Sequence, residues 1–359
     1  MAQALRLAGQ GLYTTSPNPR VGCLIVKNKQ VIGQGAHLKA GEPHAEVFAL
    51  REAAAQAEGA DIYVTLEPCS HYGRTPPCVE AVIAAKPQRV IIAMQDPNPL
   101  VAGRGVAALQ REGIEVVVGV MQNEAQALNL GFASRMTRGL PYVRTKIAAS
   151  LDGRTALNNG KSQWITGEQA RLDVQRWRAQ SCAIITGIGT VMADNPSMTV
   201  RLEDVARRPL RVIVDSRLQT PADSKMLDAE ILKGSPVLIV YAHDQDKRAE
   251  KLKCLGVELA CLADAAEKVD LMALLQLLAQ RGINEVLLEA GQGLNGAFLQ
   301  AGLIDEFIFY YAPKLMGDAA KAMFAMPELT EMQQVTDLQV IDIRLVGNDV
   351  RLRAKAVKT

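Results

Sequence analysis

The chain is poor in aromatic residues and carries no excess of either charge. Across 359 residues there are two Trp and six Phe, and 40 basic residues stand against 38 acidic ones for a net charge of +2. A protein that grips nucleic acid without regard to sequence gathers a basic excess on one face and offers aromatic platforms to the bases. That composition is missing here, which argues against a nucleic-acid ligand. It leaves room for a small phosphorylated substrate held by two or three arginines. No apolar run approaches the roughly 18 residues of a membrane span, and no basic stretch leads into an apolar signal segment. The six cysteines (Cys23, Cys69, Cys78, Cys182, Cys254 and Cys261) are too unevenly spread for the disulfide framework of a small secreted domain. The expectation is a protein of the reducing cytoplasm that binds no membrane.

What is present is enough apolar material, 48% of residues, to fill the cores of two domains at this length. The first half alternates β-rich runs with helical composition. Strands are expected over 21–26, 31–36, 61–66, 89–93 and 114–118, and helices over 44–57, 79–85 and 105–112. Residues 129–138 show no clear period and read as a connection. From Tyr142 the alternation resumes, with strands over 143–148, 183–186, 210–214, 237–240 and 285–288 and a helix over 167–178. Such alternation predicts sheets covered by helices, hence an α/β chain of two domains, residues 1–139 and 140–359.

The densest chemistry lies in the first half, where His44-Ala45-Glu46 is followed by Glu67-Pro68-Cys69 and then by Cys78. One imidazole and two thiolates suit a catalytic zinc, which keeps a fourth position for water. Zinc brings the pKa of that water near neutrality. Glu46, close to His44 at a helix start, is placed to carry a proton from the water to a departing amine rather than to bind metal. The order matches the His-x-Glu…Pro-Cys-x-x-Cys signature of zinc deaminases. It departs in spacing, since eight residues separate Cys69 from Cys78 where the signature has two. Any one of these residues alone is more simply a buried thiol or a core histidine; all of them in order, with Glu46 and Pro68, outweigh that reading. Two rivals stay open. A base deaminase acting on nucleic acid requires a basic groove and a second domain that only binds. A zinc-stabilised scaffold without activity requires a fourth protein ligand, for which His71 is the candidate.

In the second half, Glu289-Ala290-Gly291-Gln292-Gly293-Leu294-Asn295-Gly296 follows an expected strand and opens an expected helix. Its glycines would let backbone N–H groups approach a pyrophosphate. The stretch lies late in its domain, without the βαβ unit and acidic residue of a Rossmann fingerprint, and on its own is equally a structural turn. Arg178 and Arg201 each offer a fork of donors suited to a ribose phosphate dianion, while either alone is more simply a solvated charge. The strand 210–214 ends in Asp215-Ser216-Arg217. Asp215 is expected to turn away from a cofactor's 2′-phosphate, leaving Ser216 and Arg217 to meet it. No catalytic acid stands out in this half, although Lys146 and Glu289 are candidates to hold a sugar.

Several further motifs carry a resemblance. Asn18-Pro19-Arg20-Val21-Gly22, the zinc motif with its long stretch Ser70-His71-Tyr72-Gly73-Arg74-Thr75-Pro76-Pro77, and Asp96-Pro97-Asn98-Pro99 are similar to those of the bifunctional deaminase/reductase family of bacterial riboflavin biosynthesis. The longer cysteine spacing is that family's form of the signature. Lys146–Gly153, Ser162–Thr166, Thr190, Asp194-Asn195-Pro196 and Thr199-Val200-Arg201 resemble its reductase half, so the likeness runs over essentially the whole chain. It implies a cytidine-deaminase-like α/β/α sandwich followed by a dihydrofolate-reductase-like α/β domain. It further implies hydrolytic deamination of a phosphoribosylated diaminopyrimidine with zinc, then reduction of the product's ribosyl group to ribityl with NADPH. By the same resemblance, Asn18, His71, Asp96 and Asn98 help hold the pyrimidine. NADPH contacts are implied at Ala148, Trp164, Thr190, Asp194, Ser216, Gly291, Gln292, Gly293, Leu294, Asn295, Gly296 and Ala297. Substrate contacts are implied at Ser162, Arg178, Met198, Arg201 and Glu289. Oligomeric state is left open, a homo-oligomer included.

Overall fold

The computed structural model describes residues 1–72, 77–99, 101–203, 205 and 207–357; Gly73 to Pro76 of the long cysteine spacing lie outside the described residues. Two compact units divide the chain, Met1–Leu140 and Pro141–Thr359.

In the first unit the helices are α1 (Ala2–Gly9), α2 (Ala45–Ala53), α3 (Cys78–Ala84), α4 (Arg104–Arg111), α5 (Gln122–Leu128) and α6 (Leu130–Arg138). The strands are β1 (Gly22–Lys27), β2 (Gln30–Ala36), β3 (Asp61–Val64), β4 (Arg89–Ile92) and β5 (Glu115–Val118). They form a sheet in the order β2-β1-β3-β4-β5, antiparallel through β2, β1 and β3 and parallel from β3 to β5. Asn28 and Lys29 turn the β1–β2 hairpin with φ of 52° and 63°, the left-handed pair a two-residue connection needs to match the strand twist. Cys23, Ile25, Ile62, Val64, Val90 and Ile92 alternate onto a core closed by Ala45, Ala49 and Ala53 of α2. That alanine face lets the helix lie close on β2. A Cβ added to Gly35 would stand 2.1 Å from the Ala45 carbonyl oxygen and 2.8 Å from Phe48 Cβ.

The segment 129–138, read from sequence as a connection, is helical over α6. Its buried positions are Gly131 and Ser134, so the face it turns inward shows no apolar period. Asn129, just before it, is buried, and its amide both donates to the Arg20 carbonyl oxygen (3.0 Å) and accepts from Arg20 N (2.8 Å). This end of the unit is thereby tied to the Asn18–Gly22 turn.

The second unit is built on β6 (Tyr142–Ser150), β8 (Ala183–Gly187), β9 (Leu210–Val214), β10 (Val237–Tyr241), β11 (Glu258–Cys261), β12 (Glu285–Leu288), β13 (Glu306–Ala312), β15 (Leu338–Val346) and β16 (Asp349–Ala356). A small ribbon pairs β7 (Arg154–Ala156) with β14 (Lys321–Ala322). The large sheet runs β11-β10-β9-β8-β12-β6-β13-β16-β15. It is parallel from β11 to β13 and antiparallel beyond. Its helices are α7 (Glu168–Gln180), α8 (Ile188–Asp194), α9 (Ala229–Gly234), α10 (Ala249–Cys254), α11 (Leu271–Gln280) and α12 (Gln292–Gln300). Parallel order gathers the carboxyl ends of β8, β9 and β12 on one edge, where α/β sheets collect ligand-binding loops. Among the described residues no helix is long and apolar enough to cross a membrane.

Because β2 meets α2 without a side chain at Gly35, Gly35→Ala is expected to overpack this contact and destabilise the first unit by roughly 1–3 kcal/mol. Calorimetry should show its transition move to lower temperature while the second unit's transition stays in place. An unshifted first transition would mean that α2 can move aside without loss.

Candidate active sites

His44, Cys69 and Cys78 come together in the first unit, with His44 Nδ1 and the two Sγ atoms all within 4.8 Å of one another. His44 is the N-cap of α2 and Cys78 the first residue of α3, so two helix starts converge on the cluster. Cys69 Sγ accepts from Cys78 N at 3.2 Å and stands 3.6 Å from His44 Nδ1, which is 3.0 Å from Cys78 Sγ. A tetrahedral zinc with N and S ligands separates its donor atoms by roughly 3.5–3.8 Å, so the set fits that ion with a small opening at Cys78. His71 is exposed and stands outside the cluster.

Glu46 follows in the first turn of α2, buried to 3% exposure, and its Oε2 has no hydrogen-bond partner among the described residues. Burial pushes its carboxyl up to about 7, against the pull of His44. An unpartnered oxygen this deep costs stability unless something else meets it, and a water on a metal held by the neighbouring ligands would supply that partner.

Asn18 lies at the same site through a residue that the sequence did not single out. His37 is buried, its ring meeting that of His44 edge-on at 5.2 Å. A carbonyl oxygen only accepts, so His37 Nδ1, 3.1 Å from Pro43 O, carries the proton. Burial lowers the His37 pKa and keeps the ring neutral. Its Nε2 then accepts from the Asn18 amide nitrogen at 3.1 Å, which leaves the Asn18 amide oxygen facing elsewhere as an acceptor. Asp96 is buried, its carboxyl raised by that burial to about 6, and its Oδ1 accepts from Asn98 N at 2.8 Å.

In the second unit Lys146 of β6, Arg178 of α7 and Glu289, just past β12, form one cluster, with Glu289 buried and the two cations half-buried. Arg178 grips Glu289 with Nε at 2.6 Å and Nη2 at 3.0 Å, and Lys146 Nζ lies 3.8 Å from the same carboxylate. Burial alone would raise the Glu289 carboxyl, but Arg178 and Lys146 hold it below the ordinary range. The Lys146 ammonium is lowered by burial, with Glu289 opposing. Arg178, expected to meet a phosphate, thus has a carboxylate partner within the chain. Its Nη1 also donates to Thr199 O at 3.1 Å, and Nη2 approaches Met198 Sδ at 3.7 Å. Gln175, another residue the sequence did not mark, accepts from Arg201 N at 2.9 Å. The Arg201 side chain itself is exposed. Arg211, fully buried, ties the same segment down by donating to the carbonyl oxygens of Ser197, Met226 and Ser235.

The expected cofactor residues fall around the carboxyl edge of the sheet. Gly291, the N-cap of α12, donates from its N to Thr190 Oγ1 at 3.2 Å, and Ser162 Oγ donates to Asp194 Oδ1 at 3.1 Å. Gln292, Gly293, Leu294, Gly296 and Ala297 line the first turns of α12. Asn295 is buried, its side chain is engaged with Thr145, Ala290 and Met323, and its N donates to Gly291 O at 3.1 Å. Ala148 lies on β6. Trp164 is 64% exposed, with the Arg171 guanidinium 4.6 Å over its ring. Asp215 turns into the protein interior: it is fully buried, and Thr220 donates to its Oδ2 from N and Oγ1, both at 2.7 Å. Ser216 Oγ accepts from Val269 N at 3.2 Å, and Arg217 is exposed beside it.

Two family models match the chain: the RibD C-terminal domain over residues 141–352 and the cytidine and deoxycytidylate deaminase zinc-binding region over residues 1–94. The riboflavin biosynthesis protein RibD of Escherichia coli strain K12 is 46% identical, the alignment covering 98% of this chain and 97% of that protein. The chain belongs to the RibD family. Among solved structures, RibD of Acinetobacter baumannii (form 1) superposes with a TM-score of 0.91 at 48% identity, over 99% of this chain and 98% of that one. A diaminohydroxyphosphoribosylaminopyrimidine deaminase/5-amino-6-(5-phosphoribosylamino)uracil reductase from Thermotoga maritima gives 0.88 at 31% identity, over 99% and 97%. The mixed α/β fold, with a cytidine-deaminase-like first unit and a RibD reductase second unit, is thereby that of the family.

Metal analysis tests the ligand cluster. Cys78→Ser is expected to hold zinc far below stoichiometric occupancy, because a hydroxyl is a poor, protonated substitute for a thiolate. Cys254→Ser, at an exposed cysteine elsewhere in the fold, should keep it. Full occupancy in Cys78→Ser would remove that residue from the site.

Proposed function

We propose that residues 1–139 remove an amino group from 2,5-diamino-6-(5-phosphoribosylamino)pyrimidin-4-one, and that residues 140–359 reduce the ribosyl group of the resulting 5-amino-6-(5-phosphoribosylamino)uracil to ribityl. The chain is a riboflavin-biosynthesis enzyme of two activities, a zinc-dependent hydrolase and an NADPH-dependent oxidoreductase. The observation that carries the first assignment is the ligand trio with the unpartnered oxygen of buried Glu46 beside it.

In this reading His44, Cys69 and Cys78 would hold the metal, which when bound would supply an acidified water near neutral pH. Glu46 takes a proton from that water and returns it to the departing amine, so water adds to the ring carbon, the C–N bond breaks and ammonia leaves. The Asn18 amide oxygen accepts from a donor on the pyrimidine edge, while His71, Asp96 and Asn98 complete the hold. In the reductase half, NADPH when bound would be the hydride source for the opened ribose carbon. Lys146 and Glu289, with Ser162 and Met198, orient the sugar. Arg201 pairs with the phosphate, a role its exposed guanidinium suits better than that of Arg178. Ala148, Trp164, Thr190, Asp194, Ser216 and the 291–297 turn would hold the cofactor. We place the reaction in the cytoplasm, where cysteines that form no disulfide persist.

Incubating the full chain with the diaminopyrimidine phosphate while following ammonia and NADPH tests the pair of activities. Glu46→Gln is expected to keep zinc and to lose about 10²–10⁴-fold of ammonia release. Reduction of pre-deaminated substrate should stay unchanged. Equal loss of both activities would point to a single shared site.

Cofactor choice is read at the β9 carboxyl end. With Asp215 turned inward, Ser216 and Arg217 meet the 2′-phosphate, and alanine at both positions should raise the Michaelis constant for NADPH well beyond any change for NADH. Equal effects on the two cofactors would end that assignment.

A further inference from the structure

Glu67 stands immediately before Pro68 and the ligand Cys69, yet it is neither a ligand in the cluster nor a group the reaction uses. It is 2% exposed, and its carboxylate meets backbone donors from a distant stretch of chain. Oε2 accepts from Asp96 N at 3.2 Å and Gly103 N at 3.0 Å; Oε1 accepts from Gly105 N at 2.8 Å and Val106 N at 3.1 Å. Gly103 is the N-cap of α4, with φ of 77° and no side chain to cap the helix. Glu67 therefore supplies the missing cap from another element, and its negative charge suits the positive end of the helix. Its own N donates to Met94 O at 3.0 Å, which pins the residue to the same region.

We propose that Glu67 is a positioning residue of the deaminase half: its carboxylate sets the distance between the Cys69 ligand and the loop that carries Asp96 and Asn98. The chain of contacts is continuous. Cys69 is two residues along from Glu67; Glu67 holds Asp96 N, and the Asp96 carboxylate holds Asn98 N. Four N–H donors converge on one side chain, and only a carboxylate accepts from all of them. An amide of the same shape turns an NH₂ group toward two of those donors. Cys69 does not depend on this tie for its place, since its Sγ and O accept from Cys78 N and Val79 N at 3.2 Å each. Loss of the tie thus frees the loop and leaves the metal and Glu46 where they are.

The proposal rests on the reading that Asp96 and Asn98 hold the pyrimidine, and the test separates the two. In the full zinc-loaded chain, Glu67→Gln should let the amides of Asp96, Gly103, Gly105 and Val106 exchange with solvent roughly tenfold faster or more. The deaminase KM should rise roughly tenfold or more while kcat stays within about threefold. Zinc content and reduction of pre-deaminated substrate should not move. Gly105→Ala breaks the tie from the helix side, because its Cβ would lie 2.3 Å from Pro68 O and 3.1 Å from Glu67 Oε1. It should give the same split, and it carries the test if Glu67→Gln does not fold. Glu67→Asp keeps the charge with a shorter reach, and its KM should fall between wild type and Glu67→Gln. Unchanged exchange and KM overturn the proposal, as does a fall in kcat with loss of zinc, which would make Glu67 a support of the metal. If Asp96→Ala keeps the wild-type KM, the substrate reading of the loop fails and takes the proposal with it. If Asp96→Ala raises KM and Glu67→Gln does not, the tie alone is refuted.

Discussion

Two thiols and an imidazole of the first unit lie within 4.8 Å of one another near the buried Glu46 carboxyl, and holding acidic groups that repel once deprotonated so close is the constraint on which that unit depends. Without a cation the groups disturb one another. A hydrogen bond from Cys78 holds the Cys69 thiol well below the ordinary range, and that same bond pushes Cys78 up. Burial raises Glu46. A dication reverses this logic, since it binds the deprotonated donors and draws a water toward the carboxylate. The fold has to supply the crowding beforehand. It does so with two helix starts, His44 before α2 and Cys78 at the head of α3, and with a glycine-lined strand that lets α2 come close.

The second unit meets a related problem with charges of both signs. Arg144 is buried between Glu285 and Glu306, and Arg353 reaches Glu306 at 2.6 Å from the neighbouring strand β16. Burying such groups costs several kcal/mol each in lost solvation, and the pairing offsets that loss without adding much net stability. What the pairing gives is a fixed arrangement. The same holds at Arg178, where Glu289 fixes the guanidinium against the Met198–Thr199 segment and leaves Arg201 turned outward.

The parts of this arrangement that were legible in the sequence are those whose chemistry is carried by residue type and order. His44, Glu46, Cys69 and Cys78 announce a metal site because few other tasks need that set. The apolar runs of β1, β4, β9 and β12 announce strands. Helix α6 escaped because Gly131 and Ser134 face inward, and a small polar face has no apolar rhythm. His37 escaped because its value lies in which ring nitrogen bears the proton, and that is decided by Pro43 O, six residues away, and by Asn18, nineteen away. The partner of Arg178 is 111 residues distant, so nothing local distinguishes an arginine awaiting phosphate from one already paired. Glu67 shows the same limit, its partners lying 29 to 39 residues further along.

Only two tryptophans occur, and both belong to the reductase half. Trp164 stands in solvent under the Arg171 guanidinium. Trp177 is half-buried, bonded to Tyr310 OH at 3.0 Å, with the guanidinium groups of Arg144, Arg351 and Arg353 5.2–5.8 Å from its ring. Indole emission is therefore a spectroscopic window on one catalytic half alone. The deaminase half is dark in that channel and declares itself through its metal, which cobalt could replace with a coloured ion. One polypeptide can thus be followed by two optical signals, its own indoles for one reaction and an exchanged metal for the other, with no dye to attach.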